Sequence, residues 1–156
     1  MAELSGRLRP SGQVAILVSR YNEMVTGRLL EGAQAVCREA GVPDHDVDTL
    51  WVPGAFELGA AAAAAAGTGR YSCLVALGAV IRGDTAHFEF VAGEAARSLA
   101  DVAVKYAMPV AFGVLTVDTL EQALARAGGE AGNKGREAAE AALTLADALA
   151  ALRNRP

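Results

Sequence analysis

Short continuous apolar runs alternate along the chain with longer stretches in which apolar residues recur at helical spacing. Val14 to Val18 is the first such run, and its lack of polar alternation reads as a strand buried on both faces. From Glu23 to Ala40, Met24, Leu29, Leu30, Ala33, Val36 and Cys37 form one helical stripe, with Gly41 as the expected stop. Val47 to Val52 predicts a second strand, ended by Pro53-Gly54. Phe56 to Ala66 predicts a helix containing an unbroken alanine run from Ala60 to Ala66, so small-sided that it must lie against a sheet, a helix or another subunit. Cys73 to Val80 is the third strand and Phe88 to Tyr106 the third helix. Val110 to Thr116 is the fourth strand. A short helix then runs to Ala127, opened by two overlapping capping boxes, Asp118 with Glu121 and Thr119 with Gln122, and broken at Gly128-Gly129. A last helix spans Asn133 to Leu152.

Strand and helix thus alternate four times, and every strand is an apolar run. The pattern predicts an α/β fold, a three-layer α/β/α sandwich with a central four-stranded parallel sheet. Residues 1–12, with Gly6, Pro10 and Gly12 and little periodicity, read as a flexible N-terminal arm, and residues 13–156 as a single domain. Strand order is not encoded in periodicity.

Composition narrows the function. Fourteen Lys and Arg against eighteen Asp and Glu leave a formal charge of −4 with no basic run, which argues against nucleic acid as the main partner. No apolar run approaches the roughly 18 residues of a membrane span. Met1 to Gln13 has no apolar signal core, so a cytoplasmic protein is expected. Cys37 and Cys73 have no partner at metal or redox spacing and read as buried free thiols. No metal and no cofactor is expected.

In a parallel sheet of this kind, ligands bind outside the carboxyl ends of the strands. Four loops are expected to meet there: Ser19–Glu23, Pro53–Glu57, Ile81–His87 and Thr116–Thr119. The third is the most informative, because an apolar strand breaks at Arg82-Gly83-Asp84-Thr85 and His87 follows at the start of a helix. His87 is either a satisfied surface group or a general acid/base. Asp84 and Thr85 either cap the helix or, with its free N–H groups, frame a phosphate. A carboxylate at Asp84 then calls for a cation, which Arg126 or Lys134 can supply. Tyr21 and Phe56 stand at strand–helix junctions in a chain with only 5% aromatics, where stacking on a planar ligand rivals a place in the core. Glu57 either bonds such a ligand or complements a helix N-terminus. His45, between Asp44 and Asp46, reads as solvated. There is no dinucleotide fingerprint, phosphate loop or nucleophile elbow.

Five segments in order resemble the lumazine synthase family of riboflavin biosynthesis over roughly residues 13–150. They are Ser19-Arg20-Tyr21-Asn22, Val52 to Glu57, Gly78 to Glu89, Phe112 to Ala123, and Arg126-Ala127-Gly128 leading to Gly132-Asn133-Lys134-Gly135. The resemblance implies a flavodoxin-like sandwich whose N-terminal arm adds to a neighbouring subunit. It also implies a transferase that condenses 5-amino-6-(D-ribitylamino)uracil with 3,4-dihydroxy-2-butanone 4-phosphate. By the same resemblance Tyr21, Ala55, Phe56, Glu57, Ala79, Val80 and Ile81 hold the pyrimidine, joined by Phe112 from an adjacent subunit. Asp84, Thr85 and Arg126 hold the phosphate, and His87 transfers protons. It further implies a homopentamer, and the short stretch from Arg126 to Asn133 favours an icosahedral shell of twelve pentamers. Whether such a shell encloses riboflavin synthase as a partner stays open.

Overall fold

The computed structural model describes all 156 residues. Four strands, β1 (Gln13–Ser19), β2 (Val47–Val52), β3 (Tyr71–Ile81) and β4 (Val110–Val117), form one parallel sheet in the order β2-β1-β3-β4. The helices are α1 (Glu23–Glu39), α2 (Leu58–Gly67), α3 (His87–Tyr106), α4 (Leu120–Ala125) and α5 (Lys134–Arg153). They cover both sheet faces.

The two-residue period of the strands sorts the core into two halves. Val14, Ile16 and Val18 of β1 and Val75, Leu77 and Ala79 of β3 meet α1 and α5 on one face. Ala15 and Leu17 of β1 and Leu74, Ala76 and Val80 of β3 meet α2 and α3 on the other. Both faces of the inner strands are therefore apolar, which is why these segments read as unbroken runs. Cys73 lies fully inside the first half, and burial pushes its thiol up to about 12. Such a thiol carries no thiolate chemistry at neutral pH.

Small residues set the spacing of the layers. A Cβ on Gly135 would stand 2.0 Å from the Leu29 carbonyl oxygen, so glycine lets α5 cross α1 in contact. One on Gly113 would stand 2.6 Å from Leu77 Cδ2 and 3.1 Å from Ala138, so β4 can lie under α5 only without a side chain there.

The structure departs from the sequence reading in three places. The second helix begins at Leu58, because Ala55–Glu57 forms a separate 3-10 turn after the extended Gly54. After α4 the chain does not simply break. It makes a small antiparallel hairpin, β5 (Ala127–Gly129) with β6 (Gly132–Asn133). Gly128 and Gly132 turn it at positive φ (99° and 83°), the region glycine enters without cost. Of the two capping boxes ahead of α4 only half of one forms, because Gln122 Oε1 accepts the Asp118 N–H at 2.7 Å rather than that of Thr119. Thr119 Oγ1 accepts the Gln122 N–H at 3.1 Å, whereas the Asp118 carboxylate is taken by Arg82.

The N-terminal segment lies along α5. Buried Asp147 accepts the Arg7 N–H at 2.8 Å and Arg9 Nε at 2.6 Å. These two bonds hold its carboxyl below the usual range.

Candidate functional site

The strand order reverses direction around β1. The chain passes from β1 to β2 on one side, then crosses to β3 on the other, which opens a crevice at the carboxyl ends of β1 and β3. A cavity of about 790 Å³ occupies this position. Each of the first three strands supplies a wall through the residues that follow it.

After β1 the chain turns through Asn22, which sits in the left-handed region (φ 63°) and donates from Nδ2 to the Ala79 carbonyl at 3.0 Å. Asn22 is a residue whose polar side chain tolerates this conformation. The turn is held against β2 by Arg20 N–H to Val52 O at 2.8 Å and Tyr21 N–H to Pro53 O at 3.0 Å. Tyr21 therefore stands at the rim with its ring 74% exposed. After β2, the 3-10 turn buries Ala55 and turns Phe56 out, 58% exposed, beside Glu57. β1 keeps its pairing with β3 only as far as Leu77, so the β1-facing side of Ala79 and Ile81 has no strand neighbour. Asn22 occupies the Ala79 carbonyl on that side, and the main chain at Ile81 is left facing the cavity.

Thr85 and His87 line the far wall. The α3 N-terminus has no side-chain cap. The nearest feature is Thr85 Oγ1, which accepts the His87 N–H at a long 3.4 Å. Asp84 is exposed and its carboxylate makes no hydrogen bond.

Arg82 fixes the two ends of this wall. Its guanidinium lies 4.2 Å from the centre of the Phe88 ring, donates from Nε to Asp118 at 3.0 Å, and pairs with Glu89. The Glu89 contact is the main reason the Arg82 guanidinium is raised and the Glu89 carboxyl is lowered from their ordinary values.

The structure thus brings Tyr21, Ala55, Phe56, Glu57, Ala79, Val80, Ile81, Thr85 and His87 around one cavity. It does not bring Phe112, Arg126 or Asp84 to it, nor any residue of the Thr116–Thr119 loop. Phe112 pairs in register with Ala76, well back from the strand end, and is half-exposed on edge strand β4. Arg126 closes α4, where its guanidinium donates to the Gln122 carbonyl at 3.0 Å. Lys134 opens α5 and pairs with Glu137 at 3.2 Å. The cavity wall holds no lysine or arginine, and Glu57 is its one carboxylate.

Sequence reasoning missed Phe88, Phe90 and Val91, which put one turn of α3 into the cavity. Phe90 is 69% exposed. Two phenylalanines within three residues after His87, in a chain so poor in aromatics, were the available signal. Asn22 was also passed over as a tether.

Chemically, three exposed rings beside free main-chain groups suit a flat, polar heterocycle. A histidine and a hydroxyl at an uncapped helix start suit proton transfer next to an anion.

Residues 11–150 match the family model described as 6,7-dimethyl-8-ribityllumazine synthase. This chain belongs to that family. It is 53% identical over 145 residues to the 6,7-dimethyl-8-ribityllumazine synthase of Edwardsiella ictaluri (strain 93-146), covering 92% of this chain and 93% of that one. The four-stranded parallel sheet with helices on both sides is the sandwich that the lumazine synthase resemblance implied. No helix is long and apolar enough to cross a membrane.

Proposed function

We propose that the chain condenses 5-amino-6-(D-ribitylamino)uracil with 3,4-dihydroxy-2-butanone 4-phosphate to give 6,7-dimethyl-8-ribityllumazine, phosphate and water, the penultimate step of riboflavin biosynthesis. The observation that carries this is the family match, whose residues 11–150 include every segment that walls the cavity.

The pyrimidine lies against Tyr21 and Phe56, with Glu57 and the free main chain of Ile81 accepting and donating around its edge and Ala79 and Val80 forming the wall beside it. The butanone phosphate lies towards Thr85 and the start of α3. The aromatic amine attacks the ketone and water leaves to give an imine. Phosphate is then eliminated, and the second amine closes the ring with loss of another water. No electron leaves or enters. His87, at the phosphate end of the cavity, takes and returns protons during these steps. Holding two reactive partners in line accounts for much of the rate.

The phosphate needs a positive charge that this cavity wall lacks. Arg126 supplies it from an adjacent subunit, as Phe112 supplies a further ring, so the working unit is a homo-oligomer. A homopentamer satisfies this, and the tight β5–β6 hairpin after Arg126 favours the larger shell of twelve pentamers. Cytoplasmic residence follows from the pathway.

Purified protein mixed with both substrates should form the lumazine chromophore well above the uncatalysed rate. Absence of that excess removes the enzyme reading. Native mass measurement should give five copies or a multiple of five, and full turnover by a monomer would remove the shared site.

A further inference from the structure

We infer that Arg82 is a positioning residue for the proton-transfer and phosphate end of the site. It touches neither substrate and acts by fixing the turn that carries Thr85 and His87. The inference rests on the roles proposed for those two residues.

Four observations converge on it. First, Arg82 continues the β3–β4 ladder one residue past the strand, its N–H bonding Val117 O at 2.9 Å, so its own backbone is anchored. Second, its side chain ties the end of β3 to two other elements: the first turn of α3 through Phe88 and Glu89, and the loop ahead of α4 through Asp118. Third, the segment between, Gly83 to Ala86, has almost no tether of its own. Nothing stands within 4 Å of a Cβ built on Gly83, the Asp84 carboxylate makes no hydrogen bond, and the only side-chain hydrogen bond of the segment is the long Thr85–His87 one. Fourth, Phe88 is itself part of the cavity wall, so the ring clamped by Arg82 is one face of the site.

Arg82 is a poor candidate for binding the phosphate directly. Two carboxylates already share its charge, which leaves the Arg82–Glu89–Asp118 group net negative. Its value lies in geometry. A planar guanidinium can stack on a ring and make two directed bonds at once, which a lysine ammonium cannot do. Exposed ion pairs contribute little to overall stability. A displacement of about 1 Å at a reacting group can cost roughly 100-fold in rate.

The test compares the wild type with Arg82→Ala, Arg82→Lys and Glu89→Gln, all as assembled protein. Steady-state rates are measured against each substrate, and backbone hydrogen exchange is followed over residues 83–88. Wild-type turnover in the same assay establishes the underlying reaction, so its absence counts against the proposed function and not against Arg82. Given that turnover, Arg82→Ala should lower kcat by roughly 10- to 100-fold. The KM for the pyrimidine should stay within about twofold, because its contacts at Phe56 and Ala79–Ile81 are independent of Arg82. Exchange over 83–88 should quicken. Arg82→Lys should recover only part of the rate, and Glu89→Gln should lower kcat in the same direction as Arg82→Ala. Unchanged kcat and exchange in Arg82→Ala would overturn the inference. So would a Glu89→Gln variant that binds butanone phosphate more tightly, since that is the behaviour of a freed phosphate ligand.

Discussion

Replacing Phe56 by alanine isolates the stacking half of the site. The ring is 58% exposed and belongs to neither half of the core, so its removal leaves the packing untouched. A phenylalanine buries on the order of 200 Å² when fully covered, so roughly 115 Å² of this one is open to a ligand. A planar heterocycle lying on one face covers about half of that, ~60 Å², which at ~25 cal/mol per Å² is about 1.5 kcal/mol. That corresponds to roughly a tenfold weaker pyrimidine interaction. The assay follows lumazine formation at saturating butanone phosphate while the pyrimidine is varied, then the reverse. Phe56→Ala should raise the pyrimidine KM about tenfold, leave the butanone phosphate KM within about twofold and shift stability by less than ~0.5 kcal/mol. Phe56→Trp should keep most of the affinity. Equal rises in both KM values, or a pyrimidine KM that does not move, would refute stacking at Phe56.

Arg126→Ala should raise the KM for butanone phosphate far more than for the pyrimidine, by about 10- to 100-fold given the roughly 1.5–3 kcal/mol of a bond to a charged group. Equal effects on both would remove Arg126 from the phosphate. His87→Ala should slow turnover by roughly 100-fold, the low end for a general acid/base, with both KM values little changed. An unaltered rate would assign the protons to solvent or to the substrate phosphate. The N-terminal segment carries a pH prediction. The Asp147 carboxyl is lowered in the folded chain, so its contribution is complete above the unfolded value of about 3.9 and is lost as pH falls through the lower folded value. The protection factor of the Arg7 amide, its exchange corrected for the intrinsic rate at each pH, should therefore be high at neutral pH and fall at strongly acid pH, and Asp147→Asn should lower it at pH 7. Protection that is equal in both proteins at pH 7 would dismiss the Asp147 contact as a latch.

The repeating strand–helix frame was legible because buried parallel strands are apolar on both faces and amphipathic helices repeat at 3.6 residues. Val14–Val18 and Cys73–Val80 announced themselves for this reason. The β5–β6 hairpin did not, since strands of two or three residues built from Gly, Ala and Asn have no period to read. The cavity's near walls were legible from position alone, because ligands in such sheets gather where strands end, and Tyr21, Phe56 and His87 all sit just there. Phe90 was hidden by its helix, whose apolar residues are ordinarily assigned to the core. The Arg82 clamp was hidden by distance, since Asp118 lies 36 residues further on and nothing in local patterning links the two. Phe112 and Arg126 lie away from the cavity of their own chain. Arg126 was suggested by the need for a cation beside Asp84 as well as by the family resemblance, and Phe112 by the resemblance.

The most direct measurement is the simultaneous release of lumazine and inorganic phosphate by purified protein supplied with both substrates. The expected result is one phosphate per lumazine, at a rate proportional to protein and well above background, with neither product formed faster when one substrate is withheld. Phosphate released without lumazine, or lumazine formed no faster than in buffer, would contradict the proposed condensation.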